Sequence, residues 1–293
     1  MNTIIHDIAY YLPENIVTNS DLKKLHPEWN IDKVEIKSGI KQRHISLSDE
    51  TAIDLAVKAC NILFSKNPDM SKEIDGLLFC TQTPDYIIPG NSSIIHHKLN
   101  LEENIFALDI NLACSGFIHT LQLADSLIKS HQCKNILLIT ADTYTKLIHP
   151  LDRSSIMLFS DGATACLIKE NDGNLPGNIH ATECMLAGKS FSQFFIPAGG
   201  MRIPLSRETS IETEDQSGNI RAKKNIHMEG GQILVFVGSK VTKHLKNFMI
   251  KNNITVNDID MFIFHQASKM NIDTLAKVLK IPEDKIFRNY ETR

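Results

Sequence analysis

Short apolar runs that alternate with amphipathic helical patterns are the feature that most constrains how this chain folds. The runs at 105–110 and 136–139 are rich in Ile and Leu and carry at most one charge each. Apolar runs of this length, without strict alternation of polar residues, are typical of strands buried on both faces under helices. The pattern therefore predicts an α/β fold whose strands are largely buried.

The same pattern predicts individual elements. Helical spacing of apolar residues indicates helices, and compact apolar runs indicate strands. In chain order, we expect a helix over Thr51–Phe64, a strand over Gly76–Thr81, a helix over Ser92–Leu99, a strand over Ile105–Ile110, a helix over Ser115–Ser130, a strand over Asn135–Ala141, and a hairpin formed by Met157–Phe159 and Ala163–Lys169. We expect the polar stretch Ser206–Lys224 to form a long loop.

A weak internal repeat extends the prediction to the second half. Residues 74–82, Ile-Asp-Gly-Leu-Leu-Phe-Cys-Thr-Gln, resemble residues 259–267, Ile-Asp-Met-Phe-Ile-Phe-His-Gln-Ala, and residues 98–106 resemble residues 279–287. We expect a strand over 259–264, with His265 at its end. The repeat predicts two similar βαβαβ-type halves, residues 1–170 and 171–293, in a layered αβαβα arrangement. The second half is then incomplete, because it ends before counterparts of 113–169. Chance similarity of two αβ units is the alternative.

The composition argues against several classes of protein. The formal net charge is −3 and no basic stripe is interleaved with aromatic residues, which argues against a nucleic-acid-binding surface. No apolar run is long enough to span a membrane, and residues 1–8 do not resemble a signal peptide. The six cysteines form no Cys-x-x-Cys pair and no zinc-ligand spacing. We therefore expect a cytoplasmic protein with reduced thiols and without a metal site.

One cysteine differs from the others by its surroundings. Cys114 follows the apolar run 105–110, lies among small residues and precedes the helical pattern of 115–130. A strand, a tight turn and a helix would hold its sulfur at a helix N-terminus, where free N–H groups and the helix dipole favour the thiolate. Cys114 is therefore a candidate nucleophile. The other interpretation is an inert core cysteine, which is what we expect for most of the remaining five.

Four sequence blocks occur in an informative order. They are Ser-Gly-Ile-Lys-Gln-Arg-His-Ile (38–45), Asp-Ile-Asn-Leu-Ala-Cys-Ser-Gly-Phe (109–117), Leu-Phe-Ser-Asp-Gly-Ala-Thr-Ala (158–165) and Phe-His-Gln-Ala (264–267). In content and order they resemble the β-ketoacyl-[acyl-carrier-protein] synthase III family. The resemblance implies a thiolase-like α/β fold and a Cys–His–Asn active site, to which this chain would contribute Cys114 and His265.

The resemblance also implies a reaction and its partners. Cys114 would take an acyl group from acyl-CoA as a thioester. His265 and an asparagine would then help to decarboxylate a malonyl-acyl carrier protein thioester, whose carbanion attacks the acyl-enzyme. The family needs no permanently bound cofactor and no metal. Ile88 would reach into the pocket of a second subunit, so we expect a homodimer.

Roles for residues outside the catalytic pair follow from the same resemblance. Lys37 stands where the family has a basic residue near the phosphates of CoA, and Arg153 matches an arginine near the CoA adenine. Trp29 is the candidate for the tryptophan that stacks on adenine, although it lies farther from the Ser-Gly-Ile block than in typical members. Gly230 fits a glycine block that lines the acyl tunnel.

Two departures from the family pattern are informative. After His-Gln-Ala the family usually has an asparagine and, two positions later, an arginine that docks the carrier protein. Here these positions hold Ser268 and Met270, with Lys269 between them, so we expect carrier-protein recognition to differ. The catalytic asparagine of the family follows the segment that matches 281–287. The chain ends at Arg293 before such a residue, so we expect a C-terminally truncated form.

The sequence leaves two other functions open. One is a catalytically impaired subunit that associates with an intact homologue, which fits the missing asparagine. The other is an acyltransferase that does not decarboxylate its acceptor. Individual residues also have simple structural interpretations: His265 as a core histidine, and Lys37 and Arg153 as solvated surface charges.

Overall fold

Strands and helices alternate in the computed structural model, which describes residues 2–292. The helices are α1 (Asn19–Leu25), α2 (Ile31–Ser38), α3 (Ala52–Ser65), α4 (Met70–Glu73), α5 (Asn91–Lys98), α6 (Gly116–Lys129), α7 (Arg153–Ile156), α8 (Gly230–Phe236), α9 (Thr242–Lys251) and α10 (Lys269–Leu279). The strands are β1 (Asn2–Tyr11), β2 (Ile16–Thr18), β3 (Gln42–His44), β4 (Gly76–Cys80), β5 (Phe106–Ile110), β6 (Asn135–Asp142), β7 (Gly162–Asn171), β8 (Phe194–Phe195), β9 (Thr213–Glu214), β10 (Ile220–Arg221) and β11 (His227–Met228). A π-helical turn, Val237–Val241, joins α8 to α9.

The chain divides into two compact units, each of which is discontinuous in sequence. The first unit comprises residues 2–15, 44–143 and 161–184, and the second comprises 16–43, 144–160 and 185–292. The halves predicted from the internal repeat, 1–170 and 171–293, are continuous segments. The two predicted halves stay a prediction. An internal repeat compares similar segments of sequence, whereas the compact units group residues that lie close together in space.

A five-stranded mixed sheet with the order β1-β7-β6-β4-β5 forms the centre of the first unit. β4 pairs in parallel with both β5 and β6, whereas β7 is antiparallel to β6 and to β1. The register places Cys80, the last residue of β4, beside Ile110 of β5 and Thr140 of β6. The carboxyl ends of three parallel strands therefore meet at one edge, where α/β folds usually bind ligands.

Helices cover both faces of this sheet, which explains the continuous apolar strands. In β4, Leu77 and Phe79 belong to the apolar cluster that contains α3 and α5, whereas Leu78 belongs to the cluster that contains α6. Successive residues of a strand point to opposite faces, so a strand under two layers of helices must be apolar throughout. All five residues of β4 are buried accordingly. The predicted α/β arrangement is confirmed for this unit.

The predicted elements of the first unit are largely confirmed. The three helices and three strands expected between residues 51 and 141 differ from α3, β4, α5, β5, α6 and β6 by at most one residue at either end. The hairpin expected around 160–162 is wrong, because 157–159 forms no strand. Instead, the Asp152 side chain accepts a hydrogen bond from the Ser154 N–H and caps the short helix α7, while β7 pairs with β6 and β1.

The second unit is mainly helical and contains two small apolar clusters. One surrounds Ile272 of α10, and the rings of Phe262 and Phe264 pack against it. The other contains Leu22 and Met157, and Trp29 packs against it. The stretch Ser206–Lys224, expected to be a loop, contains the paired short strands β9 and β10.

The strand predicted at 259–264 is also wrong. In the described part of the chain, this segment makes one isolated bridge, between Phe262 and Ile286, and Ile263 is 74% exposed. The resembling segment β4 has hydrogen-bonded partners on both sides. The two segments have similar apolar patterns, but only β4 forms a strand, because only β4 has neighbouring strands that accept and donate its backbone hydrogen bonds.

A buried arginine connects three segments of the second unit. Arg43 is 1% exposed, and its guanidinium donates to the backbone carbonyl of Met157 and to the side-chain oxygen of Asn19. Burial lowers the pKa of Arg43 to about 10, since desolvation disfavours the charged form. The carbonyl and the amide oxygen compensate that cost by accepting charge-assisted hydrogen bonds.

We predict that Arg43→Met lowers the free energy of unfolding by about 2 to 4 kcal/mol, because two buried acceptors would lose their donors and each costs about 1 to 3 kcal/mol. Urea denaturation measures the loss. The control is Arg202→Met at an exposed arginine, which should change stability by less than about 0.5 kcal/mol. If Arg43→Met were as stable as the wild type, the hydrogen bonds of Arg43 would contribute no more to stability than the burial of its charge costs.

Candidate active site

Cys114 lies at the junction of a strand, a turn and a helix. β5 ends at Ile110, a turn follows, and the 14-residue helix α6 begins at Gly116, two residues after Cys114. Cys114 and Ser115 are exposed, whereas Gly116 is buried. The strand–turn–helix geometry predicted for Cys114 is confirmed. An exposed sulfur near the first turn of α6 lies where the helix dipole stabilises negative charge.

Close packing against β4 fixes the turn that carries Cys114. A Cβ atom on Gly116 would overlap the sulfur of Cys80, so only glycine fits at this position. The Cys80 thiol in turn donates to the carbonyl of Leu112 at 3.4 Å, and the Thr120 hydroxyl donates to the carbonyl of Gly116 at 2.7 Å. The contacts of Gly116 and Leu112 with Cys80 hold both ends of the turn against the carboxyl edge of the sheet, whereas the Thr120 hydrogen bond lies within α6.

A carboxylate at the same edge of the sheet was not anticipated from the sequence. One oxygen of Asp142, the last residue of β6, accepts hydrogen bonds from the Gln82 N–H at 2.8 Å and from the hydroxyls of Thr81 and Thr83 at 3.1 Å each. Burial raises the pKa of Asp142 to about 6, and these hydrogen bonds oppose the rise. Asp142 thus orders the loop after β4. The sequence does not reveal this role, because a single Asp after an apolar run has no distinctive pattern.

His265 belongs to the second unit, in the segment between Phe262 and α10. Its imidazole is exposed. The neighbouring Gln266 fixes the backbone: its amide donates to the carbonyls of Phe264 at 2.9 Å and Phe287 at 3.2 Å, and its oxygen accepts from the Asn289 N–H at 2.9 Å. These nonlocal hydrogen bonds of Gln266 could not be predicted from its place in the Phe-His-Gln-Ala block. A core role for His265 is excluded by its exposure.

Lys37 lines a cavity of about 300 Å³ between α2 and α10. Lys269 and Lys277 line it as well, and Ile36 and Met270 supply apolar walls. Asp273 lines the same cavity and forms ion pairs with Lys269 at 2.7 Å and with Arg288 at 2.8 Å. The structure therefore brings the predicted phosphate-binding lysine into one open cavity with two further lysines and one carboxylate. The role of Lys37 towards a phosphate stays a prediction.

The other predicted CoA contacts are in the second unit too, but at different places in it. Arg153 begins α7, and its guanidinium donates to the backbone carbonyl of Ser217 at 2.8 Å. The indole of Trp29 stacks on the imidazole of His26. Gly230 begins α8, where a Cβ atom would meet nothing within 4 Å in the described chain. Their roles towards CoA stay predictions.

The remaining thiols differ from Cys114 in burial. Cys60, Cys80, Cys133 and Cys166 are buried, and Cys184 is half-buried. Burial raises the pKa of Cys133 to about 11 and that of Cys166 to about 12, and it raises the pKa of Cys60 and Cys80 as well. Thiols of this kind are poor nucleophiles, because little thiolate forms near neutral pH.

Residues 2–292 lack two kinds of feature. No helix there has the length and apolar character to cross a membrane. No three side chains of His, Cys, Asp or Glu converge in that range as a metal-binding group would require.

Comparisons with known proteins give a consistent result. The family model for 3-oxoacyl-[acyl-carrier-protein] synthase III matches residues 108–185, and the model for its C-terminal part matches 249–293. A curated β-ketoacyl-[acyl-carrier-protein] synthase III from Fusobacterium nucleatum is 34% identical over 97% of this chain and 83% of its own length. A second such synthase, from Sulfurovum, is 34% identical over 95% of this chain and 79% of its own length.

Solved structures agree with these relatives. A crystal structure of a 3-oxoacyl-(acyl-carrier-protein) synthase III superposes with a TM-score of 0.96 at 36% identity and covers 100% of this chain and 86% of its own. The synthase from Burkholderia xenovorans superposes with a TM-score of 0.86 at 27% identity and covers 99% of this chain and 81% of its own. The predicted α/β fold class is thereby confirmed.

The contrast in burial predicts selective alkylation of Cys114. Native protein treated with iodoacetamide near pH 8 should be labelled at Cys114 at least about tenfold faster than at the four buried thiols, since only an accessible thiolate reacts. Peptide mass spectrometry measures the site and rate, and unfolded protein provides the reference in which all cysteines react. Labelling of Cys114 no faster than Cys133 would contradict an accessible, activated thiol.

Proposed function

Because the chain belongs to the β-ketoacyl-[acyl-carrier-protein] synthase III family and is a condensing acyltransferase, we propose that Cys114 is its acyl-carrying nucleophile. The supporting observation is the position of Cys114, an exposed thiol at the N-terminal end of α6, inside the segment 108–185 that the family model matches. Relatives of this chain are named for the synthesis of 3-oxoacyl products, and that reaction requires a covalent acyl carrier of this kind.

In the first half-reaction, the Cys114 thiolate attacks the carbonyl carbon of acyl-CoA. The new S–C bond replaces the bond to the CoA sulfur, and CoA leaves as a thiol with the proton that Cys114 has lost. The first turn of α6 stabilises the thiolate through its dipole. Backbone N–H groups of the turn, that of Cys114 among them, stabilise the tetrahedral oxyanion.

In the second half-reaction, a malonyl thioester on the carrier protein loses CO2. The electron pair of the broken C–C bond stays on the α-carbon and delocalises onto the thioester oxygen, where an N–H of His265 donates to it. The α-carbon then attacks the Cys114 thioester, a C–C bond forms, and the Cys114 thiolate leaves. The product is a 3-oxoacyl thioester. The exposed imidazole on a backbone fixed by Gln266 supports this role.

Both half-reactions use only the two thioesters and groups of the protein itself, so the proposal includes no permanently bound cofactor. Lys37 is assigned to the phosphates of the donor, supported by its cavity with Lys269 and Lys277. Gly230 is assigned to the wall of the acyl site. A cytoplasmic location is part of the proposal, and buried reduced thiols such as Cys60 and Cys166 fit a reducing compartment.

Transfer of radiolabelled acetyl from acetyl-CoA tests the nucleophile. The wild-type protein should retain one acid-stable, hydroxylamine-labile label, and Cys114→Ala should lose it, because the thioester has no other attachment point in the proposal. Cys133→Ala is the matched control and should be labelled like the wild type, since its thiol is buried. Equal labelling of wild type and Cys114→Ala would refute the assignment.

Product analysis tests the second half-reaction. With acetyl-CoA and a malonyl-carrier protein, release of CO2 and formation of a 3-oxoacyl product should both depend on Cys114 and His265. His265→Ala should lower CO2 release by about 100-fold or more while acetyl transfer to Cys114 continues, because one oxyanion donor is worth about 2.7 to 4 kcal/mol. Acyl transfer to an acceptor without CO2 release would favour an acyltransferase that does not decarboxylate.

The carrier protein is proposed to dock at the lysines between α2 and α10. Lys269 and Lys277 occupy this surface together with the exposed Ile36, and carrier proteins are acidic, so the charges are complementary. This arrangement differs from the single arginine of typical members, at whose position Met270 stands.

Charge reversal tests the docking surface. Lys277→Glu should raise KM for the malonyl-carrier protein by about 3- to 10-fold, because rim charges at interfaces are worth up to about 1 kcal/mol each and reversal adds repulsion. The KM for malonyl-phosphopantetheine, which keeps the phosphate but carries no protein, should stay unchanged. Lys246→Glu on α9 is the control at an exposed lysine outside the cavity. Equal effects of the two variants would exclude this docking site.

A homodimer is the proposed assembly. β5 is the last strand of the sheet, and three of its five residues, Phe106, Ala107 and Leu108, are exposed. Ile87 and Ile88, in the loop that precedes α5, are 80% and 84% exposed. An exposed apolar edge strand pairs readily with another copy of itself.

The assembly has a direct test in light scattering coupled to size-exclusion chromatography. The wild-type protein should elute as a dimer at micromolar concentration, and Ile88→Asp should shift it towards monomer, because a charge would enter an apolar contact. Ile250→Asp, at a 74% exposed isoleucine of α9, is the control and should leave the dimer intact. A monomeric wild type would contradict the proposal.

A further inference from the structure

A single oxygen of Asp142 holds four donors of the loop that follows β4. Its Oδ1 atom accepts hydrogen bonds from the hydroxyls of Thr81 and Thr83 at 3.1 Å each. The same atom accepts from the backbone N–H groups of Gln82 at 2.8 Å and Thr83 at 3.1 Å. Residues 81–83, which we call the β4 loop, are thereby fixed relative to the end of β6.

The β4 loop in turn holds the segment that leads to Cys114. The Thr81 N–H donates to the carbonyl of Ile110 at 3.0 Å. The side-chain amide of Gln82 donates to the side-chain oxygen of Asn111 at 3.3 Å. The carbonyl of the next residue accepts from the thiol at the end of β4, as described above. Three consecutive residues just before the nucleophile turn therefore have partners in the β4 loop or directly beside it.

These contacts matter because β5 has support on one side only. β5 is the last strand of the five-stranded sheet, and in the described part of the chain its ladder partner is β4 alone. Beyond β5, Asn111 is exposed, and Leu112 and Ala113 are half-buried. Burial therefore contributes less to the position of this turn than it does within the sheet. The hydrogen bonds from the β4 loop are what remains to fix it.

We propose that Asp142 is a positioning residue for Cys114, which it holds at the first turn of α6 through the β4 loop and the hydrogen bond between Gln82 and Asn111. The proposal rests on the proposed role of Cys114 as the nucleophile and adds a residue that lies outside the four sequence blocks. Asp142 acts through hydrogen bonds alone and transfers no proton. Its effect on the reaction is large, because displacing a reacting group by about 1 Å slows a reaction by about 100-fold.

Asp75 provides a matched control at the opposite edge of the same sheet. It precedes β4, and its two carboxylate oxygens accept from the N–H groups of Lys134 and Asn135 at 2.8 Å each. Asp75 therefore orders the chain before β6, as Asp142 orders the chain after β4. The length of β4, about 16 Å, separates Asp75 from the edge that carries Cys114. Loss of Asp75 should lower stability and leave Cys114 in place.

Single-turnover transfer of acetyl from acetyl-CoA tests the proposal. Asp142→Ala should lower the maximal rate of acylation by about 10- to 100-fold without changing the acetyl-CoA concentration at half-maximal rate. Asp142→Asn should retain the rate within about threefold, because the four donors converge on one oxygen and an amide also supplies one. Asp75→Ala should acylate like the wild type. An unchanged rate in folded Asp142→Ala, or an equal loss in Asp75→Ala, would overturn the proposal.

Alkylation by iodoacetamide separates this proposal from the proposed function, because it needs no substrate. The pH at which the alkylation rate of Cys114 is half-maximal reports when its thiolate forms. Asp142→Ala should raise that pH by about 0.2 to 0.7, the contribution of a helix terminus to one charge, whereas Asp142→Asn and Asp75→Ala should leave it unchanged. If the wild type takes no acetyl group but this shift occurs, the proposed function fails and the positioning role stands. An unshifted Asp142→Ala would overturn the positioning role.

The contact between the β4 loop and the nucleophile turn provides variants that do not touch Asp142, in case Asp142→Ala does not fold. Gln82→Leu keeps the size of the side chain and removes its donor. It should lower the acylation rate by about 3- to 10-fold, since one hydrogen bond is lost while the others remain. Asn111→Ala should have the same effect, and the double variant should be no slower than either single variant. Additive losses in the double variant, or none in either single variant, would overturn the proposal.

Discussion

The parallel pairing of β5 with β4 is the constraint on which the candidate nucleophile depends. It brings Ile110 level with Cys80, so the chain leaves β5 at the carboxyl edge of the sheet and must turn sharply to return as α6. Gly116 makes the turn fit, because any side chain there would collide with Cys80. Burial of both sheet faces requires that α6 pack back on β4, and this fixes its first turn beside Cys114. The reactive position of the thiol is thus a consequence of sheet packing.

The sequence predicted the parts of the structure that depend on local patterns. The helices and strands between residues 51 and 141 follow from apolar spacing alone, and the strand–turn–helix around Cys114 follows with them. The predictions at 157–159 and 259–264 were wrong for one physical reason. A strand exists only if distant segments complete its ladder, and at 157–159 the local cap from Asp152 favours a helical turn instead.

Side-chain networks were the least predictable part of the site. Asp142 acquires its role because the end of β6 lies beside the loop after β4, which are about 60 residues apart in sequence. The hydrogen bonds of Gln266 to the segment around Phe287 are equally nonlocal. By contrast, the stack of His26 on Trp29 arises within one turn. The family resemblance predicts that Trp29 stacks on a nucleotide base, and only the structure shows that the imidazole of His26 lies against one face of its indole.

The proposed chemistry depends above all on an acyl group carried by Cys114. Peptide mass spectrometry after brief incubation with an acyl-CoA and an acid quench locates that group most directly. We expect one acyl group, on the peptide that contains Cys114, and its loss when a malonyl thioester is added. An acyl group on another residue, or none on folded protein, would show that Cys114 is not the nucleophile.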